Sequence, residues 1–148
     1  MLLSKPLQLI YLVTLLVFSQ NSRSEQHTVG NYTIHYSVIN SSIIQAETAR
    51  QYGLKRSKNI ALLNISVIKK SDKKEGTAII ANIFGHASNL VGQLKGLAFK
   101  EIKEENAIYY LATFPINNAE MLKFDLKVQP SKVGKIIPLA FKTQIFID

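Results

Sequence analysis

The 148-residue chain has no cysteine and no tryptophan, and only two methionines. Without cysteine there is no disulfide to hold a small exported fold together, no thiolate metal centre, and no residue for lipid attachment at a cleavage site. Stability has to come from a packed core. With Met121 the only methionine beyond the N-terminal segment, a thioether-rich copper site also lacks its ligands. Long apolar runs are missing too. The one candidate, Leu7 to Phe18 (LQLIYLVTLLVF), spans twelve residues, against the roughly 20 that a membrane-crossing helix needs.

That run is preceded by Lys5 and followed by the small and polar residues Ser19 to Ser24, the order of a secretory signal peptide. Residues 1–24 are therefore expected to be a leader, with Ser22 and Ser24 at the small-residue positions of the cut and a mature domain over residues 25–148. Val17 and Ser19 form an alternative pair that would cut before Gln20, and an uncleaved anchor is the remaining alternative. No stable transmembrane span is expected after cleavage. The 124 residues from Glu25 suit one domain.

Charge narrows the partners. The formal net charge is +8, and removing Lys5 and Arg23 with the leader leaves +6. In the mature chain only Arg50 and Arg56 are arginine, the other basic residues being lysine. Phosphate and base-edge recognition in nucleic acids relies on the planar arginine fork, so nucleic acid is not expected as a partner. An exported basic domain suits anionic lipids or glycans, although scattered lysines also protect sheet edges.

From Asn31 onward the pattern has period two. Tyr32, Ile34, Tyr36 and Val38 share one face and Thr33, His35 and Ser37 the other. Six more such runs follow, near Asn59–Lys69, Thr77–His86, Gln93–Lys103, Ala107–Pro115, Leu122–Gln129 and Ile136–Ile147. SDKKEG (Ser71–Gly76), EEN (Glu104–Asn106) and PSKVGK (Pro130–Lys135) supply turns. In LKFDLKV, Leu122, Phe124, Leu126 and Val128 alternate with Lys123, Asp125 and Lys127, which predicts a sheet with one wet face. AIYYLATF (Ala107–Phe114) is apolar on both parities, as in a central strand covered on both sides or crowded by neighbours. Around Gly96 the apolar parity slips, which suggests a β-bulge.

One segment is helical: AETARQY (Ala46–Tyr52) pairs Glu47 with Arg50 three residues on and stops at Gly53. The pattern as a whole predicts an all-β, immunoglobulin-like antiparallel sandwich of about seven strands with one short helical crossover.

The blocks ETARQYGLKRSKNIALLNISV (Glu47–Val67), AIYYLATFPI (Ala107–Ile116) and LAFKTQIFID (Leu139–Asp148) resemble the proteobacterial domain-of-unknown-function 4426 family of small exported envelope proteins. The most distinctive element is Tyr52-Gly53-x-x-Arg56-Ser57-Lys58-Asn59. The family's short helix is expected to open on proline, where this chain has Ala46. The resemblance implies a periplasmic β-rich domain and brings no assigned activity.

Candidate sites are few. Arg50, Lys55, Arg56 and Lys58, with Tyr52 among them, place four cations within nine residues, enough to converge on a phosphate, a carboxylate or a partner. The structural alternative is a clamp in which Arg56 bonds carbonyls at the helix C-terminus or pairs with Glu47. His27, His35 and His86 lack the spacing of a ligand motif, so no metal or other cofactor is expected. Glu101, Glu104 and Glu105 belong to a hairpin tip rather than an acid–base pocket. Tyr32, Tyr36, Tyr52, Tyr109 and Tyr110 could line a groove or simply pack between strands. Three sequons, at Asn31, Asn40 and Asn64, would matter only in a eukaryotic secretory pathway.

Nucleophile-elbow, P-loop and H-E-x-x-H motifs are absent from the sequence. The leading reading is a non-enzymatic periplasmic binding or accessory domain that engages an envelope protein or an anionic lipid or glycan. The alternative is a small hydrolase or transferase whose site is assembled from separate strands. N-terminal sequencing of the exported protein should begin at Glu25, and a product retaining Met1 would establish the uncleaved anchor.

Overall fold

A computed structural model describes residues 24–147, so the leader expected over residues 1–24 lies, Ser24 apart, outside the described residues. The strands are β1 (Glu25–Val29), β2 (Tyr32–Asn40), β3 (Ile60–Lys69), β4 (Thr77–Ala78), β5 (Ala81–Asn89), β6 (Leu94–Gly96), β7 (Lys100–Lys103), β8 (Ile108–Pro115), β9 (Glu120–Pro130) and β10 (Ile137–Ile145). Between β2 and β3 lie a 3-10 turn (Ser41–Ile43) and the helix α1 (Ala46–Tyr52). The first sheet has the order β1-β2-β3-β8-β7, with β4 paired to the far end of β3, and the second has the order β10-β9-β5-β6. All pairings are antiparallel, and the two sheets face each other as a sandwich.

Alternation does the sorting. In β9, Leu122, Phe124, Leu126 and Val128 are all buried while Lys123 and Lys127 are exposed. They meet Ile34 of β2, Leu63, Ile65 and Val67 of β3, and Phe114 of β8 in one apolar layer. An aromatic column crosses that layer. Phe114 packs edge-on against Phe124 at 5.7 Å between ring centres, Phe124 stacks on Phe141 at 4.6 Å, and Phe141 stacks on Tyr36 at 4.3 Å. Such aromatic pairs add to the stabilisation from buried area.

Among the described residues there are ten strands rather than seven, for two reasons. Two of the expected runs are each split between the sheets. In the first, the Ile79 N–H still bonds the Val67 carbonyl of the first sheet, whereas the Ile80 carbonyl accepts from Ser131 at the end of β9 in the second. In the second, β6 belongs to one sheet and β7 to the other, so the parity slip at Gly96 marks a crossing between sheets and not a bulge. Leu97 and Phe99 stay packed on the core through the crossing. The tenth strand is β1, a wholly exposed edge that pairs Glu25 with Tyr36 and His27 with Ile34. EQHTV carries no apolar alternation, and backbone pairing holds it together with exposed side-chain bonds from Tyr36 to Glu25 at 3.1 Å and between Thr28 and Thr33 at 3.2 Å.

Tyr110 pins the first crossing. Its hydroxyl accepts from the Ala81 N–H at 2.8 Å and donates to Glu101 at 2.7 Å. Burial pushes this phenol up to about 12, with the Glu101 carboxylate adding to the rise and the Ala81 bond opposing it. Gly85, at φ 143°, lets β5 approach β9 closely, since a Cβ there would sit 2.2 Å from the Asp125 carbonyl oxygen.

The excursion between β2 and β3 covers the outer face of the first sheet. Leu62 of β3 and Leu111 of β8 point away from the inter-sheet layer yet are buried, as is Ala49 of α1. β8 is thus covered on both faces at Leu111, which explains its apolarity on both parities. The helix begins at Ala46 without a side-chain cap from Gln45 and ends at Gly53 (φ 65°, ψ 34°), where the Leu54 N–H reaches the Ala49 carbonyl at 2.7 Å.

Tyr110→Phe should cost about 1–3 kcal/mol by leaving the buried Ala81 N–H unpaired, and Phe124→Ala about 3–5 kcal/mol by opening a cavity in the aromatic column. Equilibrium denaturation with urea measures both.

Candidate functional site

The ends of the strands define the site. β2 ends at Asn40, β3 starts at Ile60, β8 ends at Pro115, β9 starts at Glu120, and β5 and β10 end at Asn89 and Ile145. Their pairings, Asn40 with Ala61, Ile60 with Pro115, Asn89 with Leu122 and Ile145 with Glu120, place all of them at one end of the sandwich.

The loop from Gly53 to Asn59 returns the chain to this end. Ser41, completely buried, donates its hydroxyl to the Ser57 carbonyl at 3.0 Å and accepts from the Ser57 N–H at 2.9 Å. Asn40 donates to the Lys58 carbonyl at 2.8 Å, and the Ile116 N–H bonds the Asn59 carbonyl at 2.9 Å. The backbone of the loop is therefore fixed.

The five candidate residues divide. Arg50 lies on the exposed side of α1, 2.5 Å from Glu47, the pairing expected from their spacing. Tyr52 is anchored away from the loop: its hydroxyl donates to Glu104, and its carbonyl accepts from Lys100 at 2.7 Å. Hydrogen bonding to Glu104 raises the Tyr52 phenol above its ordinary range, with burial and the carboxylate charge adding to the effect. Arg56 donates to the Ser42 carbonyl at 3.2 Å, so a carbonyl on the 3-10 turn takes the part expected of the helix C-terminus. Lys55 and Lys58 are exposed, and neither has a carboxylate within ion-pair distance among the described residues. Lys55, Arg56 and Lys58 share the loop, while Arg50 and Tyr52 serve the helix.

The same end holds a polar pair that sequence reasoning missed. Lys95 and Glu120 meet at 3.1 Å with side chains only 11% and 8% exposed. Lys95 also donates to the Pro115 carbonyl at 2.6 Å, and Glu120 accepts from the Asn117 N–H at 2.8 Å and from Asn89 at 3.3 Å. Burial pushes the Glu120 carboxyl up, but the bonds from Asn117, Lys95 and Asn89 and the Lys95 charge outweigh it and hold the group below its ordinary value. Lys95 and Glu120 lie 25 residues apart, with no local pattern to join them.

The remaining candidates fall elsewhere. His35 sits in the first sheet opposite Gln26 and Ser66. His86 lies in the second, opposite Asp125, on the outer wall of a groove of about 400 Å³ lined also by Phe84, Lys127 and Pro138. Asp125 is 3.4 Å from Lys123, and the lining has no Ser, Thr or Cys to act as nucleophile. Among the described residues no three His, Asp or Glu side chains come close enough to hold a metal ion. A wider cleft of about 650 Å³, at the opposite end, lies between the 73–78 and 103–108 loops, with lysines and glutamates intermixed. Glu101 takes the Tyr110 bond, which lowers its carboxyl, and lies 3.5 Å from Lys103 and 3.7 Å from Lys132. Of the tyrosines, Tyr32, Tyr36 and Tyr110 pack on the core.

Over residues 26–148 the sequence matches DUF4426, a domain of unknown function. The chain belongs to that family. A crystal structure of a DUF4426 family protein from Pseudomonas aeruginosa is 35% identical, with a TM-score of 0.74 over 84% of this chain and 96% of that one. FetP of uropathogenic Escherichia coli, recombinantly expressed in the periplasm, is 12% identical, with a TM-score of 0.63 over 86% of this chain and 98% of its own. A copper-bound variant of FetP is 11% identical, with a TM-score of 0.58 over 84% and 90%. At these identities FetP shares the fold. Among curated proteins none matches the chain. No helix among the described residues is long and apolar enough to cross a membrane.

Because the folded state holds the Glu120 proton affinity down, the stability this carboxylate contributes is complete above its ordinary value of 4.5 and is lost as pH falls through the lower folded value. Glu120→Gln should flatten that acid limb and, by leaving Lys95 without its partner, cost about 3 kcal/mol near neutrality. Urea titrations from pH 3 to 7 measure both effects.

Proposed function

We propose that this DUF4426 protein is an exported, non-enzymatic binding domain of the periplasm whose loop Lys55–Lys58 engages an anionic component of the cell envelope. One observation carries the reading: the loop backbone is fixed by Ser41, Asn40 and Ile116, while Lys55 and Lys58 project from it exposed and without carboxylate partners among the described residues. Cations on a pre-ordered backbone lose little freedom on meeting an anion. Arg56 serves both the clamp and the site. The guanidinium holds the Ser42 carbonyl through one nitrogen and keeps further donors for a ligand. A basic surface in the periplasm favours anionic lipid headgroups and glycans over nucleic acid.

A second reading rests on a different surface. β10, nine residues long, is an edge of the second sheet among the described residues, and with β1 and β2 it borders a cleft of about 470 Å³ that includes Tyr36 and Phe141. An extended segment of a partner protein could add to such an edge. The copper carried by the FetP variant is not extended to this chain, because His27 and His35 point to opposite faces of the first sheet, His86 lies in the second, and among the described residues no three His, Asp or Glu side chains gather.

Binding of the soluble anionic headgroup glycerophosphoglycerol and of an anionic glycan, followed by calorimetry at low salt, should weaken about tenfold or more in Lys55→Ala/Lys58→Ala while the melting temperature stays unchanged. Arg56→Ala should weaken binding and also lower stability by about 1 kcal/mol. Undiminished binding in the double-lysine variant would overturn the reading.

A further inference from the structure

An apolar tip stands beside the basic loop. In the hairpin of β5 and β6, Leu90 and Val91 in the turn and Leu94 at the start of β6 are 84%, 81% and 70% exposed. Ile43 on the 3-10 turn and Phe146 after β10, 68% and 57% exposed, lie at the same end of the sandwich. Isolated exposed leucines are ordinary on a protein surface, but a cluster at the apex of a domain marks an interaction site.

The tip is held rigidly. Asn89 accepts from the Gln93 N–H at 2.9 Å through its side chain and donates to the Gln93 side chain at 2.8 Å. Its carbonyl accepts from the Gly92 N–H at 3.0 Å, and its own N–H bonds the Gln93 carbonyl at 3.2 Å. The adjoining Lys95–Glu120 pair is turned inward, so its charges are neutralised beneath the apex. The hairpin and the basic loop flank the same short segment. Lys95 donates to the Pro115 carbonyl, Ile60 pairs with Pro115, and the Ile116 N–H bonds Asn59. Glu120 beneath the apex is paired with Lys95, and Glu47 of α1 with Arg50.

We propose that this end of the domain docks on an anionic lipid bilayer, with Leu90, Val91 and Leu94 entering the headgroup–acyl boundary and Lys55, Arg56 and Lys58 meeting lipid phosphates. Apolar side chains within a basic surface match the two layers such a membrane presents: hydrocarbon below and negative charge above. Entry costs little desolvation, because the polar groups of Asn89, Gln93, Lys95 and Glu120 are satisfied within the protein. A soluble glycan would use the cations and leave the tip idle, so the tip selects a bilayer as the anionic component. The inference rests on the proposed function and goes further in naming the surface.

The test is cosedimentation of the full mature chain with vesicles of phosphatidylethanolamine and phosphatidylglycerol, beside pure phosphatidylcholine. The unaltered protein should bind the anionic vesicles and not the neutral ones, and raised salt should weaken binding. Leu90→Ser/Val91→Ser, both at exposed positions, should retain the melting temperature and headgroup binding but lose roughly tenfold or more in vesicle affinity. Since the chain lacks tryptophan, Val91→Trp adds a unique fluorophore. Its emission should shift to the blue on anionic vesicles and be quenched by acyl-chain-brominated lipid.

If Leu90→Ser/Val91→Ser binds vesicles as well as the unaltered protein, or the indole emission of the Val91→Trp variant does not move on saturated vesicles, the docking proposal is overturned while the basic-loop reading stands. Loss of binding to both soluble headgroup and vesicles would overturn both. A dimer in light scattering that Leu90→Ser/Val91→Ser dissolves, without vesicle binding, would assign the tip to a second copy and overturn membrane docking.

Discussion

The inward side chains of β9 must find partners on the other sheet, and nothing covalent helps them, since no disulfide crosses the layer. Leu122, Phe124, Leu126 and Val128 are buried because β3 and β8 present Leu63, Ile65, Val67 and Phe114 opposite them. That contact determines where the chain can pass between sheets. Both passages, after Ile79 and after Gly96, keep apolar side chains on the core while the backbone changes hydrogen-bonding partner. At the first passage the buried Ala81 N–H meets the Tyr110 hydroxyl, so a polar tie from the first sheet fixes the start of the second.

The same arrangement explains what could be read from the residues. Long alternating strands were legible because one face of each is buried and a shift by one residue would turn it out to water. Helix α1 was legible because Gly53 ends it with positive φ. The split runs were not, since both halves remain apolar toward a common core and period-two patterning carries no label for the sheet. β1 was not legible either, as Glu25–Val29 buries no face and shows no apolar alternation.

The basic loop was legible as a cluster of charges, but its division was not. Spacing gave Arg50 to Glu47 correctly, yet it could not show that Tyr52 reaches Glu104, 52 residues away, or that Arg56 finds the Ser42 carbonyl. The apolar tip left a faint mark, two aliphatic residues in a turn bounded by Asn89 and Gly92, where polar residues are the rule. Only the alignment of the strand ends places that turn next to the loop.

The paired hydrogen bonds between Ser41 and Ser57 close the β2–β3 excursion at its base. A segment tied at its neck and resting on few buried side chains forms its own cooperative unit, able to peel away while the sandwich remains intact. Each such opening would uncover Leu62 and Leu111, turning a sheltered strip of the first sheet into a transiently adhesive one. The serine tie therefore also limits how often the folded protein offers its neighbours a place to aggregate.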